Sequence, residues 1–175
     1  PVCKIRPPLP MPTASLNDRA ILSVSGPDAA HFLQNIVTAD LDTLAAGEAK
    51  PSALLAPQGK ILFDFLVSRH GEDAFLLECR ADIADDFLRR LMLYRLRAKV
   101  EISKQEESVV AVSWKIDSIP SEIDSSWLRD GRFPTSAPVW RSYAPQPSDA
   151  TVEAWHAFRI ASGIAESGDD FVLGD

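Results

Sequence analysis

The stretch Leu54-Leu55-Ala56-Pro57-Gln58-Gly59-Lys60-Ile61-Leu62-Phe63-Asp64-Phe65-Leu66-Val67 decides how this chain folds. Two apolar runs of strand length, residues 53–56 and 61–68, flank Pro57-Gln58-Gly59, where proline presets φ and glycine tolerates a tight reversal. A third run, residues 74–79, follows His70-Gly71-Glu72-Asp73, so three consecutive strands are predicted. The period then changes: Asp82 is a candidate cap for a helix to about residue 96, with Ile83, Phe87, Leu88, Leu91 and Met92 as its buried stripe. Residues 99–103 read as the next strand.

Outward from this centre, residues 21–25 read as a strand, and Ser25-Gly26-Pro27-Asp28 starts a helix with proline in its first turn. Ala29, Phe32, Leu33, Ile36 and Val37 share one face of that helix, which is expected to end near residues 38–40. Beyond the centre, residues 109–114 and 139–143 read as strands, and residues 120–138 as irregular. A last helix starts at Asp149, buries Val152, Trp155, Phe158, Ile160 and Ala161, and stops at Gly163. The order strand, strand, helix, strand resembles a ferredoxin-like half, with helices on one sheet face and the other face free to meet something. The expected class is α+β, built from antiparallel sheets. A ferredoxin-like lobe covers residues 50–106, a discontinuous second α+β lobe covers 16–49 and 107–175, and an irregular tail covers 1–15, with Met11 as the natural start.

Composition narrows the function. Hydrophobic residues at 46% and charged residues at 25% are ordinary for a packed domain. A formal charge of -7 argues against broad affinity for nucleic acid or anionic membranes. Cys3 and Cys79 cannot build a disulfide framework, and no apolar run reaches the roughly 18–20 residues of a membrane helix, so a cytoplasmic protein is expected. There is no G-x-S-x-G elbow, phosphate loop, dinucleotide fingerprint or H-E-x-x-H, and His31, His70 and His156 share no ligand spacing, so neither a catalytic nor a metal site is assigned.

Two features carry chemistry. Asp64 stands amid Ile61, Leu62, Phe63, Phe65, Leu66 and Val67, where an unpaired carboxylate is costly to desolvate. It either faces water by strict alternation or lines a cleft, where it can accept hydrogen bonds from an amino-pyrimidine edge. Arg89, Arg90, Arg95, Arg97 and Lys99 form a basic cluster at the end of the second helix; this suits the helix dipole, and it also suits a local anion site for a polyglutamate tail or an RNA phosphate.

Residues 16–29, 32–40 and 56–64, supported by Leu93-Tyr94-Arg95-Leu96-Arg97-Ala98-Lys99-Val100, together resemble the folate-binding YgfZ family, relatives of the glycine-cleavage T-protein, an aminomethyltransferase. The resemblance spans roughly residues 16–163. It implies a partial T-protein-like ring with tetrahydrofolate, or a folate derivative, in a central opening. It also implies a role in iron–sulfur protein maintenance and tRNA modification. By position, Asp64 matches a T-protein carboxylate near the folate reaction centre, with Gln58, Gly59 and Lys60 on the pocket rim and Arg95 and Arg97 as candidate tail-binding cations. Implied partners are folate, iron–sulfur client proteins and a weak tRNA contact, without a membrane; the location becomes the mitochondrial matrix if the source is eukaryotic. Two departures bear on activity. Where the T-protein has Arg-x-Glu-Ala-Gly, this chain has Arg159-Ile160-Ala161-Ser162-Gly163. The family's Lys-Gly-Cys-Tyr-x-Gly-Gln-Glu segment, expected beyond Gly163, is not in the chain, so the family's C-terminal part is read as absent. A folate-dependent aminomethyltransferase and a structural fragment without activity stand as rivals to the accessory-protein reading.

Overall fold

The structure is a computed structural model that describes residues 12–107, 109–114 and 126–174. Cys3, Met11 and residues 120–125 of the stretch read as irregular lie outside the described residues. Among the described residues, nine strands form one sheet in the order β1-β7-β9-β8-β3-β4-β5-β2-β6. The strands are β1 (Thr13–Ser15), β2 (Arg19–Ser25), β3 (Glu48–Leu55), β4 (Ile61–Arg69), β5 (Ala74–Arg80), β6 (Glu101–Lys104), β7 (Ala111–Trp114), β8 (Trp127–Asp130) and β9 (Val139–Ser142). The helices are α1 (Ala29–Gln34), α2 (Ala84–Arg95) and α3 (Val152–Ala161). Neighbouring strands run antiparallel except β3 and β8, which pair in parallel through Glu48 and Ala49.

The α+β class and the β3–β4–β5 meander follow the reading of the apolar runs. Lobe membership does not. β2 pairs with β5 on one side and β6 on the other, so residues 19–25 sit inside the ferredoxin-like sheet. Ala20, Leu22, Val24, Ala29, Phe32 and Leu33 join the same core as Phe63, Phe65, Val67, Phe87 and Leu91. The division at residue 50 fails because β2 and α1 bury their apolar faces against elements that come later in the chain.

Three further corrections have local causes. Residues 13–15, assigned to the tail, form β1, because β7 offers an edge on which Thr13, Ala14 and Ser15 pair with Ser113, Val112 and Ala111. Residues 127–130, assigned to irregular chain, form β8, whose alternation is hidden because the buried position after Leu128 is the charged Asp130. β3 begins at Glu48 rather than near residue 53, and carries Pro51 internally. The parallel partner ends at Ala49, so Pro51 lies on a free strand edge where its missing N–H leaves no ladder bond unmade.

The helices are shorter than their periodicity suggests. α1 stops at Gln34, after which Val37 bridges to Leu54 and the Thr38 hydroxyl accepts a hydrogen bond from the Ala53 amide at 2.9 Å. Asp82 lies in a 3-10 turn, Ala81–Ile83, and pairs with Arg80 instead of capping α2. Asp149 accepts from the Thr13 amide at 2.8 Å, leaving Thr151 to cap α3 through the Ala154 amide at 3.2 Å. Trp114 and Trp155 are core anchors, packed with Phe133 and Phe158 in a second apolar cluster.

Candidate functional site

Alternate residues of β4 point to opposite sides of the sheet. Phe63, Phe65 and Val67 enter the core beneath α1 and α2. Leu66 and Ser68 lie on the other side, where Leu66 joins Ala49 and Leu128. That side is not free: β8, β9 and the segment after α3 bring charged side chains across it. Glu78 of β5, fully buried, accepts from Arg19 Nε at 3.0 Å and from Arg141 Nη1 at 2.9 Å. Arg141, also fully buried, donates through Nε to Asp130 Oδ2 at 3.1 Å, and its guanidinium lies 5.2 Å from the Trp155 ring centroid. Asp130 further accepts from Arg132 Nη2 at 2.7 Å, and Arg132 Nη1 donates to Glu166 Oε1 at 3.1 Å. Arg159 extends the chain, lying 3.5 Å from Glu166 Oε2 and donating to Asp169 at 3.1 Å.

This buried ladder alternates arginines with carboxylates because desolvated charges persist only when paired. Burial by itself would raise the pKa of Asp130, but Arg132 and Arg141 outweigh it and hold the carboxyl below its ordinary value. Glu166 is likewise held low, against burial, by Arg141, Arg132 and Arg19. Burial would lower the pKa of Arg19, and Glu78 and Glu166 reverse that.

Asp64 stands at the open end of this ladder. It is half-buried, its Oδ1 accepts from the Ser167 hydroxyl at 2.5 Å, and it lines a cleft of about 140 Å³ with Arg19, Pro51, Leu66, Arg132 and Glu166. The carboxylate keeps acceptor capacity at its second oxygen. Segment 164–174 straps the cleft: the Gly174 amide donates to the Ile61 carbonyl at 2.9 Å, and the Glu166 amide to Asp170 at 2.8 Å.

The other sequence candidates lie apart from Asp64. Gln58, Gly59 and Lys60 form the exposed β3–β4 turn, closed by hydrogen bonds from the Gly59 amide to Ala56 and from the Ala56 amide to Lys60; Gly59 adopts φ 85°. Arg95, the last residue of α2, and Arg97 just beyond it are both exposed on the helix side of the sheet. A second depression lies there, of about 430 Å³, lined by Asn35, Ile36, Leu54, Pro57, Tyr94 and Leu96 among others; none of its lining residues is shared with the Asp64 cleft. Cys79 is buried and free, and burial pushes its thiol up to about 12, which suits a core residue rather than a nucleophile. Sequence reasoning missed Arg19, Arg132, Arg141, Glu166 and Ser167, since each is an isolated polar residue with no local pattern. The one available signal was charge inside apolar runs, as at Glu78 within Phe75-Leu76-Leu77-Glu78-Cys79.

Residues 17–113 match the family model described as the GCVT N-terminal domain. The chain is 36% identical to the mitochondrial iron–sulfur cluster assembly factor IBA57 of Homo sapiens, over 91% of this chain and 52% of that protein. It is 37% identical to the IBA57 homolog of Pyricularia oryzae, over 87% of this chain and 43% of that one. It is 32% identical to the tRNA-modifying protein YgfZ of Yersinia pseudotuberculosis, over 58% of this chain and 31% of that protein. The chain thus spans between 31% and 52% of the length of these relatives. In three dimensions it resembles the glycine cleavage system aminomethyltransferase T of Bartonella henselae. The TM-score is 0.60 at 18% identity, over 85% of this chain and 44% of that one, which establishes the likeness of fold.

Proposed function

We propose, from the premise that this chain belongs to the GCVT N-terminal domain family and is related within it to IBA57 and YgfZ, that it is part of a folate-binding accessory protein for iron–sulfur proteins. The observation that carries the folate reading is the Asp64 cleft: a carboxylate on an apolar strand, with a free acceptor oxygen, between two arginines and the apolar wall of Pro51 and Leu66. An amino-pyrimidine edge offers N–H donors to such a carboxylate and a ring carbonyl to a neighbouring guanidinium. At about 140 Å³ the cleft is smaller than the roughly 300–1,000 Å³ that encloses a drug-sized ligand, so it takes the ring edge and leaves the rest of a tetrahydrofolate outside. In this reading Gln58, Gly59 and Lys60 remain outer-rim candidates, while Arg95 and Arg97, on the helix side, are released from the folate tail.

The names of the relatives support clients that carry iron–sulfur clusters and a link to tRNA modification. The word mitochondrial in the names of the IBA57 relatives also supports a mitochondrial location if the source is eukaryotic. None of the described helices is long and apolar enough to cross a membrane. The aminomethyltransferase alternative loses a carboxylate at Ala161, which sits exposed at the end of α3; Glu166 is committed to arginines and does not replace it. Titration calorimetry with tetrahydrofolate tests the proposal: measurable heat is expected from this chain and none from Asp64→Asn. Equal heat from both removes Asp64 from the site, and silence from this chain favours the inactive-fragment reading.

A further inference from the structure

The second depression holds features that the folate reading does not use. Leu55, Ile61, Met92, Leu93 and Leu96 are five of the seven large hydrophobic side chains exposed among the described residues, and they gather where the end of α2 meets the β3–β4 hairpin. Leu55, Leu93 and Leu96 line the depression itself, and Ile61 lies across the ladder from Leu55. Beside them in the chain stand Arg90, Arg95, Arg97 and Lys99, all exposed, none forming an ion pair among the described residues, in a chain whose net charge is -7.

Leu96 is the second, independent sign. It is 86% exposed, yet it occupies φ 44°, ψ -107° in the turn that the Ala98 amide closes onto the Arg95 carbonyl. It is the sole non-glycine residue with positive φ among the described residues. That corner is one where glycine is the unstrained choice, and a γ-branched side chain there is held outward against backbone preference. Folding gains little from such a leucine, because so little of it is buried.

We infer that this patch docks a partner protein through an acidic segment that carries leucine-type side chains. Apolar anchors entering the depression would meet Leu55, Leu93 and Leu96, and carboxylates beside them would meet the unpaired cations. The acidic remainder of the chain repels the same segment, so charge selects this one place and one orientation. RNA is disfavoured because Tyr94 is the one aromatic side chain in the lining, and successive bases need stacking surfaces. A lipid surface is disfavoured because the chain's net charge of -7 repels anionic headgroups around the patch.

The test is fluorescence anisotropy with labelled short peptides in which leucines one helical turn apart lie among aspartates and glutamates, matched with leucine-free and lysine-substituted versions. The acidic, leucine-bearing peptides are expected to bind, and to weaken with salt. Leu96→Gly should weaken them about tenfold while the melting temperature holds or rises, since glycine relieves the corner. The pair Arg95→Glu with Arg97→Glu should weaken them about tenfold and flatten the salt dependence. The inference is overturned by peptides binding no better than their leucine-free partners, or by Leu96→Gly binding as tightly as the parent. It is equally overturned by tighter retention on anionic vesicles or an RNA oligonucleotide, or by dimerisation of this chain through the patch, seen in light scattering. Tetrahydrofolate enters none of these measurements, so the folate reading and the docking reading fail separately.

Discussion

The two faces of β4 enter different media. On one face Phe63 and Phe65 pack on Phe87, with ring centroids 4.8 and 4.9 Å apart, in a core held by area and shape. On the other, Asp64 and its neighbours meet a ladder of arginines and carboxylates held by direction and charge. The apolar face is forgiving in detail, since any hydrocarbon of suitable volume satisfies it. The ionic face is unforgiving, because each member is buried only on condition that the next is present.

The largest expected difference comes from removing one member of each face. Arg141→Ala leaves Glu78 and Asp130 short of a partner and should destabilise the chain by about 3–5 kcal/mol. Phe87→Ala should cost a comparable amount, about 3–5 kcal/mol, through cavity formation. Urea denaturation separates the mechanisms through coupling. Arg141→Ala and Glu78→Gln, which share a contact, should depart from additivity by more than about 0.5 kcal/mol, whereas Phe87→Ala should add to either. Additivity throughout would break the distinction between the faces.

Acid sharpens the same contrast. Asp130 and Glu166 have folded pKa values below their unfolded ones, near about 4. Their contribution is therefore complete above that range and lost as pH falls through the folded values. The urea midpoint should stay level from about pH 7 to 5 and drop below about pH 4. Phe87→Ala should show the same profile displaced downward, because a cavity carries no proton. Added salt should leave the acid limb in place, since buried pairs are screened little.

The smallest effect lies where the ladder opens. Ser167→Ala removes the hydroxyl that donates to Asp64 and should lower stability by about 1–2 kcal/mol. A loss as large as that of Arg141→Ala would show that the strap, rather than the ladder, closes this face.

Much of the fold was legible because apolar periodicity is local. Residues 61–68 and 74–79 predicted β4 and β5, and the stripe through Phe87 and Leu91 predicted α2. Asp64 stood out for the same reason, as a charge where the pattern allows none. β8 and the ladder were illegible for the converse reason: Asp130, Arg141 and Glu166 look like ordinary solvated residues until remote segments bury them together. That Asp64 and the Arg95–Arg97 segment lie by separate depressions was illegible too, because residue type says nothing about which side of a sheet a distant segment occupies.

By itself, the sequence determined the α+β class, the central meander, the odd carboxylate at residue 64 and the family likeness, all of which rest on residue type and short spacing. Only the tertiary structure decided that β2 joins the ferredoxin-like sheet, that the face behind Asp64 is filled by paired charges, and that the basic cluster lies on the opposite side. Hydrophobic period is written into neighbouring residues, whereas the pairing of buried charges is settled by long-range contacts that form only when the chain closes on itself.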